Sequence, residues 1–248
     1  MGRFFAISDI HITDSKDPAY RKLLTFVSQA QTGDLVFLGG DVFDFLGGDQ
    51  PILTREYSEF IKAVSEKIKS GARFLYVEGN HDFHLKFLTR KIPGLELSPE
   101  SFSVDFEGKR FYLAHGDLVD QEDRKYLMLR KFFRSPFIRT AAKVLPGRLV
   151  AMIGAQSDKA FGDQTSKTPE ARPSVRLTKT REKFRDFAER KFAQGFDFVV
   201  LGHCHDLDEY RATEKSKPVH YMNVGFPKKH ETFVFWEPGM SSLERKPF

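Results

Sequence analysis

The chain has 248 residues, room for one large α/β domain or two small ones. Hydrophobic residues at 40% and 18 glycines exclude disordered and fibrous classes, and no apolar run approaches the roughly 18–20 residues that cross a bilayer. The single cysteine, Cys204, excludes an internal disulfide and fits a reducing compartment, while 39 Lys and Arg against 34 Asp and Glu give a net charge of +5, a weak pointer to an anionic partner.

In chain order, Arg3–Ile7 reads as a short buried strand. The first residues lack the apolar stretch of a signal peptide, and Ala6 stands where myristoylation of Gly2 needs Ser or Thr. Ala19–Ala30 has apolar residues at helical steps, Leu35–Leu38 reads as a strand, Arg55–Lys69 as a helix and Arg73–Val77 as a strand. Ser101–Phe106 and Arg110–Ala114, joined through Glu107-Gly108-Lys109, have the form of a hairpin. From about 117 to 171 no strand is expected; the stretch is helical, basic and rich in Phe, Leu and Met, as an insertion or lid on the core would be. Arg172–Gln194 resumes as an amphipathic helix, followed by strands at Asp197–Leu201, Val219–Val224 and Thr232–Trp236. Alternating strands and helices followed by hairpin-like strands predict a mixed α/β layered fold, one domain over 1–248 carrying the insertion.

Five of these strands are followed directly by polar clusters: Ser8-Asp9-Ile10-His11, Gly39-Gly40-Asp41-Val42-Phe43-Asp44, Gly79-Asn80-His81-Asp82, His115-Gly116-Asp117 and Gly202-His203-Cys204-His205. Alone, each has an ordinary structural explanation: a turn, a helix cap or a core histidine. Together they hold five of the eight histidines, and ligands of open α/β sheets bind beyond the carboxyl ends of the strands, so the clusters should converge. Asp9, His11, Asp41, Asn80, His115, His203 and His205 are seven candidate metal ligands, too many for one ion and suited to two. Carboxylate, amide and imidazole donors fit Mn²⁺, Fe²⁺ or Zn²⁺ in an open catalytic site rather than a closed, cysteine-rich structural one. Two ions roughly 3.5–4 Å apart clamp a phosphoryl group between attacking and leaving oxygens. Cys204, between two ligands, should point away into the core.

Asp9-x-His11, Gly40-Asp41-x-x-Asp44, Gly79-Asn80-His81-Asp82, His115 and Gly202-His203-x-His205 resemble the full motif set of the calcineurin-like metallophosphoesterases, in the family's order. The resemblance implies a four-layer α/β fold, a double β-sandwich flanked by helices. It implies one metal held by Asp9, His11, Asp41 and His205 and another by Asp41, Asn80, His115 and His203, with Asp41 bridging. It also implies that His81 stabilises the phosphoryl transition state or protonates the leaving group, held in place by Asp82. More narrowly, His115-Gly116-Asp117, Asp123-x-x-Tyr126 and a basic helical insertion ending near Ala155-x-Ser157 are similar to the UDP-2,3-diacylglucosamine hydrolases. That resemblance implies cleavage of an anionic nucleotide lipid to UMP and 2,3-diacylglucosamine 1-phosphate, commonly with two Mn²⁺ ions. Asn80, Asp123, Tyr126, Ser157 and Lys167 would contact substrate. It also implies a cytoplasmic protein resting on the inner membrane. His81 and Asp206 depart from the pattern, since many of those hydrolases carry Arg at both places. Another nucleotide or phosphodiester substrate of the same fold is therefore the alternative, and a binding scaffold on a degenerate fold would be expected to lack ligands.

The insertion bears on that choice. Plotted at about 100° per residue, Tyr126, Met128, Leu129, Phe132 and Phe133 share one arc, and Arg124, Arg130, Lys131 and Arg134 the opposite one. Pro136 should end this helix, and a second one should contain Leu149–Ile153. The pattern predicts a greasy arc toward acyl chains and a basic face on a membrane surface; its plainer explanation is a core-packed helix with a solvated basic face. An apolar arc does not suit a nucleic-acid groove, so no nucleic acid is expected; no protein partner is predicted. Residues 124–148 hold eight Lys and Arg and no Asp or Glu, leaving 31 against 34 elsewhere, so the whole positive excess sits in this stretch.

Overall fold

The computed structural model describes residues 1–44, 46–48, 51–136, 138, 174–214 and 216–248. Thirteen strands are present among them: β1 Phe4–Ile7, β2 Leu35–Leu38, β3 Leu46–Gly47, β4 Arg73–Val77, β5 Asp82–Phe83, β6 Glu96–Ser98, β7 Ser101–Phe106, β8 Lys109–Ala114, β9 Phe198–Leu201, β10 Glu209–Glu214, β11 Lys217–Asn223, β12 Thr232–Trp236 and β13 Glu244–Pro247. The described helices are α1 Pro18–Ser28, α2 Pro51–Glu56, α3 Ser58–Lys69, α4 Lys86–Lys91, α5 Arg124–Phe133, α6 Ser174–Ala193 and α7 Pro227–His230.

The strands form a six-stranded sheet, β13-β12-β1-β2-β4-β6, a five-stranded sheet, β10-β11-β9-β8-β7, and the small pair β3-β5. Period-two alternation builds the layers from these sequences. Phe5, Ile7, Val36, Leu38, Phe74 and Tyr76 turn to one face and pack with Tyr20, Leu23, Phe60 and Val64 of α1 and α3. Phe4, Ala6, Leu35, Phe37, Leu75 and Val77 turn to the other face and meet Phe111, Leu113, Phe198 and Val200 of the second sheet. The far side of that sheet, with Val199 and Leu201, packs on Phe184, Ala188 and Phe192 of α6. The order is helix, sheet, sheet, helix, the double sandwich implied by the motifs. Strands covered on both faces read as continuous apolar runs, which is why the sequence reveals them.

Local signals set the boundaries. The Asp17 side chain accepts a hydrogen bond from Ala19 N–H and Pro18 occupies the first turn, a matched start for α1. Glu107 and Gly108 both have positive φ, 48° and 76°, as a two-residue hairpin turn between β7 and β8 requires. The helix expected over Arg55–Lys69 is instead α2 and α3, divided at Tyr57, whose ring is buried 4.2 Å from that of Phe43. Burying an aromatic there outweighs continuing the helix. Strands β3, β5, β6, β10 and β13 lie outside the expected ones; β10 and β13 are polar edge strands, Glu-Tyr-Arg-Ala-Thr-Glu and Glu-Arg-Lys-Pro.

The orientation of α5 corrects the expected one. Arg130 and Arg134 do not form a solvated basic face: their side chains are 13% and 14% exposed and pair with Asp117 and Glu78. Met128 and Phe132, 72% and 53% exposed, face outward instead. The cause is electrostatic: two buried carboxylates without partners would cost several kcal/mol each, more than about 1.5–3 kcal/mol for leaving an apolar side chain in water. The second predicted helix around Leu149–Ile153 and most of the proposed insertion lie outside the described residues. No helix among the described residues is long and apolar enough to cross a membrane.

Phe111 is fully buried between the sheets, with ring centroids of Phe4, Phe198 and Trp236 at 4.6, 5.0 and 5.6 Å. Phe111→Ala is expected to cost about 3–5 kcal/mol, read as a lower urea midpoint; an unchanged midpoint would refute this account of the inter-sheet core.

Candidate metal centre

Strands β1, β2 and β4 run parallel in one sheet, and β8 and β9 run parallel in the other. Their carboxyl ends bring all five polar clusters together. Main-chain bonds stitch the loops: Asp9 N–H donates to Gly40 O at 3.0 Å, His11 N–H to Asp41 O at 3.0 Å and Gly202 N–H to His115 O at 2.7 Å. Asp9 accepts His203 N–H through both oxygens, at 2.9 and 3.0 Å, and Asp41 Oδ1 accepts His81 N–H at 2.8 Å.

The backbone here is unusual. Asp9, His11, Asp41, His203 and His205 all have positive φ, between 51° and 68°. Such conformations cost on the order of 1–3 kcal/mol each and collect at functional sites. Two glycines permit the crowding: a Cβ on Gly79 would overlap the Asp41 carboxylate and its amide nitrogen, and one on Gly202 would overlap Asp9 and Ser8.

Seven donors fall into two neighbouring sets. His11 Nε2 and His205 Nε2 are 3.1 Å apart, and His205 Nε2 lies 3.4 Å from Asp9 Oδ1. Asn80 Oδ1 is 3.1 Å from both His115 Nε2 and His203 Nδ1, which are themselves 3.3 Å apart. Between the sets, Asp41 Oδ2 is 3.5 Å from His115 Nε2 and 3.9 Å from His11 Nε2. The donor set fits divalent ions: two donors about 2.1 Å from one ion stand roughly 3.0–3.4 Å apart in octahedral to tetrahedral arrangements. Facing imidazole nitrogens at such separations fit one shared cation.

His115 Nδ1 lies 2.9 Å from Gly39 O and donates to it, which leaves Nε2 turned to the centre. The His205 ring stacks on Phe226, with centroids 5.1 Å apart and planes 13° apart. His81 is as near to Asp41 as His11 is, with Nε2 at 3.9 Å from Asp41 Oδ2. Its Nδ1 is 3.0 Å from Asp44 O, so its orienting contact comes from Asp44 rather than from Asp82. Asp82 has a different place: its carboxylate accepts from Asp41 N–H and Gly79 N–H through Oδ1, and from Val42 N–H and Tyr76 O–H through Oδ2, all within 2.8 Å. It pins the β2 and β4 loops together.

Charges in the ion-free protein follow from burial and crowding. Burial disfavours charge on His115, but the carboxylates of Asp41, Asp9 and Asp117 override it and raise its pKa to about 10. Burial and the neighbouring His115 charge push His203 down to about 4. Burial raises Asp41, yet His115, His81 and His11 hold it well below the usual carboxylate range. Burial and the Asp41 charge push Asp82 up to about 7 against its four donors.

Of the expected substrate contacts, Asp123 caps α5 by accepting Tyr126 N–H at 2.9 Å. Tyr126 is buried, its ring 5.8 Å from that of His203 and its hydroxyl donating to Asp117 at 2.9 Å. Ser157 and Lys167 lie outside the described residues. Cys204 is buried among Phe184, Ala188 and Tyr221, as its position between the two histidines predicts. The sequence reading missed Phe226, which no motif marks, and Glu78, whose partner lies 56 residues away. A glutamate directly after the apolar run Phe74–Val77 is the available signal.

Because the folded, ion-free chain keeps a proton on His115 until about pH 10, an ion must displace it. Mn²⁺ uptake at pH 7.5 should therefore release about one proton per chain from this residue, and affinity should rise with pH. Calorimetry in buffers of different ionisation enthalpy reads this directly; heats that ignore the buffer would contradict it.

The profile of the calcineurin-like phosphoesterases matches residues 2–207. A UDP-2,3-diacylglucosamine hydrolase of Enterobacter sp. (strain 638) is 24% identical over 225 residues, 88% of each chain. The enzyme of that name from Stenotrophomonas maltophilia (strain R551-3) is 29% identical over 213 residues, 80% of each chain. One from Escherichia coli O81 (strain ED1a) is 30% identical over 161 residues, covering 62% of this chain and 66% of its own. With the match running from the first strand through both histidines of the last motif, the chain belongs to the calcineurin-like phosphoesterase family of metal-dependent hydrolases.

Proposed function

We propose that this chain hydrolyses the diphosphate of UDP-2,3-diacylglucosamine, an anionic nucleotide lipid, to UMP and 2,3-diacylglucosamine 1-phosphate, using two divalent ions, Mn²⁺ first among them. The observation that carries the chemistry is the pair of donor sets sharing Asp41: Asp9, His11 and His205 on one side, Asn80, His115 and His203 on the other. The names of relatives that match over 80–88% of both chains support the substrate.

Two such ions supply Lewis acidity to the phosphoryl oxygens and lower the pKa of the attacking water. The chain's own groups do the rest. Asp82 and the stitched loops hold the donors in place before substrate arrives, so little reorganisation is needed during reaction. With the His81 Nδ1 proton given to Asp44 O, Nε2 carries a proton only as imidazolium. The Asp41 carboxylate lies 3.9 Å from that nitrogen. His81 Nε2 is then the proton donor to the leaving phosphate, or the charge that offsets its departure.

The insertion over about 117–171 acts in this reading as a lid on a single domain. Met128 and Phe132 are exposed on the helix that sets Tyr126 against His203, so the element bordering the donor cluster presents apolar surface outward. Acyl chains, or the acyl region of the inner-membrane leaflet on the cytoplasmic side, would cover it. Lys125 and Lys131, exposed on the same helix, complement anionic headgroups. One observation favours a second reading, a phosphodiesterase for another nucleotide: His81 stands where many lipid hydrolases carry Arg. Asp206, the other departure, is bound to Arg181 at 2.5 Å and 2.9 Å.

The direct test is Mn²⁺-loaded protein with UDP-2,3-diacylglucosamine, followed by UMP release; turnover of a generic diester without UMP would select the second reading. His115→Ala should abolish turnover while the circular dichroism spectrum persists, and full activity in that variant would sink the metal assignment. Met128→Ser with Phe132→Ser should raise KM for the lipid substrate on the order of tenfold or more and spare a soluble diester. Equal effects on the two substrates would remove the lid from the account.

A further inference from the structure

Helix α5 meets the core through polar groups, and its partners share one property. Arg134 Nη2 donates to Gly79 O at 2.9 Å, the carbonyl of the peptide that leads into Asn80. Arg134 Nη1 pairs with Glu78 Oε2 at 2.9 Å, and the other Glu78 oxygen accepts Leu85 N–H at 2.7 Å, bracketing the Gly79–His84 loop. One turn earlier, Arg130 Nε donates to Asp117 Oδ2 at 2.6 Å, two residues beyond His115. The same Asp117 oxygen accepts the Tyr126 hydroxyl, and the Tyr126 ring packs 5.8 Å from His203. Pro99 O accepts from both arginines at 3.0 Å, fixing their spacing. One helix thus reaches the segments carrying Asn80 and His115 and the ring of His203, all three donors of one set. In the other set the main-chain N–H groups of Asp9 and His11 are held by Gly40 O and Asp41 O, and the Asp9 carboxylate meets the first set only at His203 N–H.

We infer that Tyr126, Arg130 and Arg134 are positioning residues for one of the two ion sites, the Asn80–His115–His203 set, and reach the Asp9–His11–His205 set only indirectly, through the shared Asp41 and the His203–Asp9 bond. The inference rests on the two-ion reading above. The physical ground is rigidity. Glu78 and Asp117 are 9% and 3% exposed, so their carboxylates require fixed partners. An arginine fork binds a carboxylate and a carbonyl in one fixed plane, which a lysine cannot do. Donors 3.1–3.3 Å apart tolerate little drift, because partners outside the ligand set orient it.

The test is a Mn²⁺ titration of the full chain, by calorimetry and by Mn²⁺ electron paramagnetic resonance, with no turnover in the readout. Glu78→Gln with Arg134→Gln removes the fork without leaving a buried charge unpaired. It should weaken one of the two sites by roughly 10–100-fold and the other by much less. Tyr126→Phe, which deletes only the hydroxyl on Asp117, keeps the packing and should weaken the same site. Arg124→Gln, on the exposed side of α5, should alter neither. Equal weakening of both sites, or of neither, overturns the inference. Wild-type protein that takes up fewer than two ions would overturn the two-ion reading instead, and the two failures are told apart by that first titration.

Discussion

The Asp82 carboxylate lies fully buried and accepts four hydrogen bonds, three from main-chain amides and one from Tyr76. Two of those amides belong to Asp41 and Val42 and one to Gly79, so a single side chain joins the turn after β2 to the turn after β4. The other donors depend on that joint. Asp41 stands between the two donor sets, and its other oxygen holds the His81 amide. Once Asp41 is placed, His11 is placed by its carbonyl. A buried carboxylate costs free energy unless donors surround it, and here four main-chain and hydroxyl groups do so. The same low-polarity surroundings make each contact rigid, as a site that binds charge in fixed geometry requires.

Much of this was legible in the sequence, for a specific reason. Strands covered on both faces are apolar where they are covered, so β1, β2 and β9 and the buried stretches of β4 and β8 stand out as short runs. The polar residues directly after them could then be read as one converging set. Legibility failed where burial and residue type disagree. Strand β10 alternates between exposed and half-buried positions and carries mostly polar residues, so no periodic contrast marks it. Asp82 beside His81 invites the view that one orients the other, whereas the structure gives the imidazole to the Asp44 carbonyl. A main-chain acceptor leaves no trace in residue identity.

Helix α5 shows the same limit from the opposite direction. Its hydrophobic pattern is real, but it does not divide buried from exposed: Tyr126 is buried, whereas Met128 and Phe132 of the same arc are exposed. Periodicity records which residues share a side; it does not record which side the core takes. Buried Asp117 and Glu78 decide that, because an unpaired carboxylate is costlier than an exposed Met128 or Phe132. The positive excess between residues 124 and 148 is accordingly not all surface charge. Arg130 and Arg134 pair with buried carboxylates, and of the other described basic residues in this stretch Arg124, Lys125 and Lys131 are exposed.

The left-handed backbone at Asp9, His11, Asp41, His203 and His205 sets stability against chemistry at the same five positions. Glycine would relax every one of these turns, and asparagine would ease several, yet each such exchange deletes or alters a donor. Selection for a sturdier fold and selection for the donor set therefore pull in opposite directions here. A stabilised variant of this protein would have to gain its margin in the inter-sheet core or at helix ends, and leave the strained turns as they are.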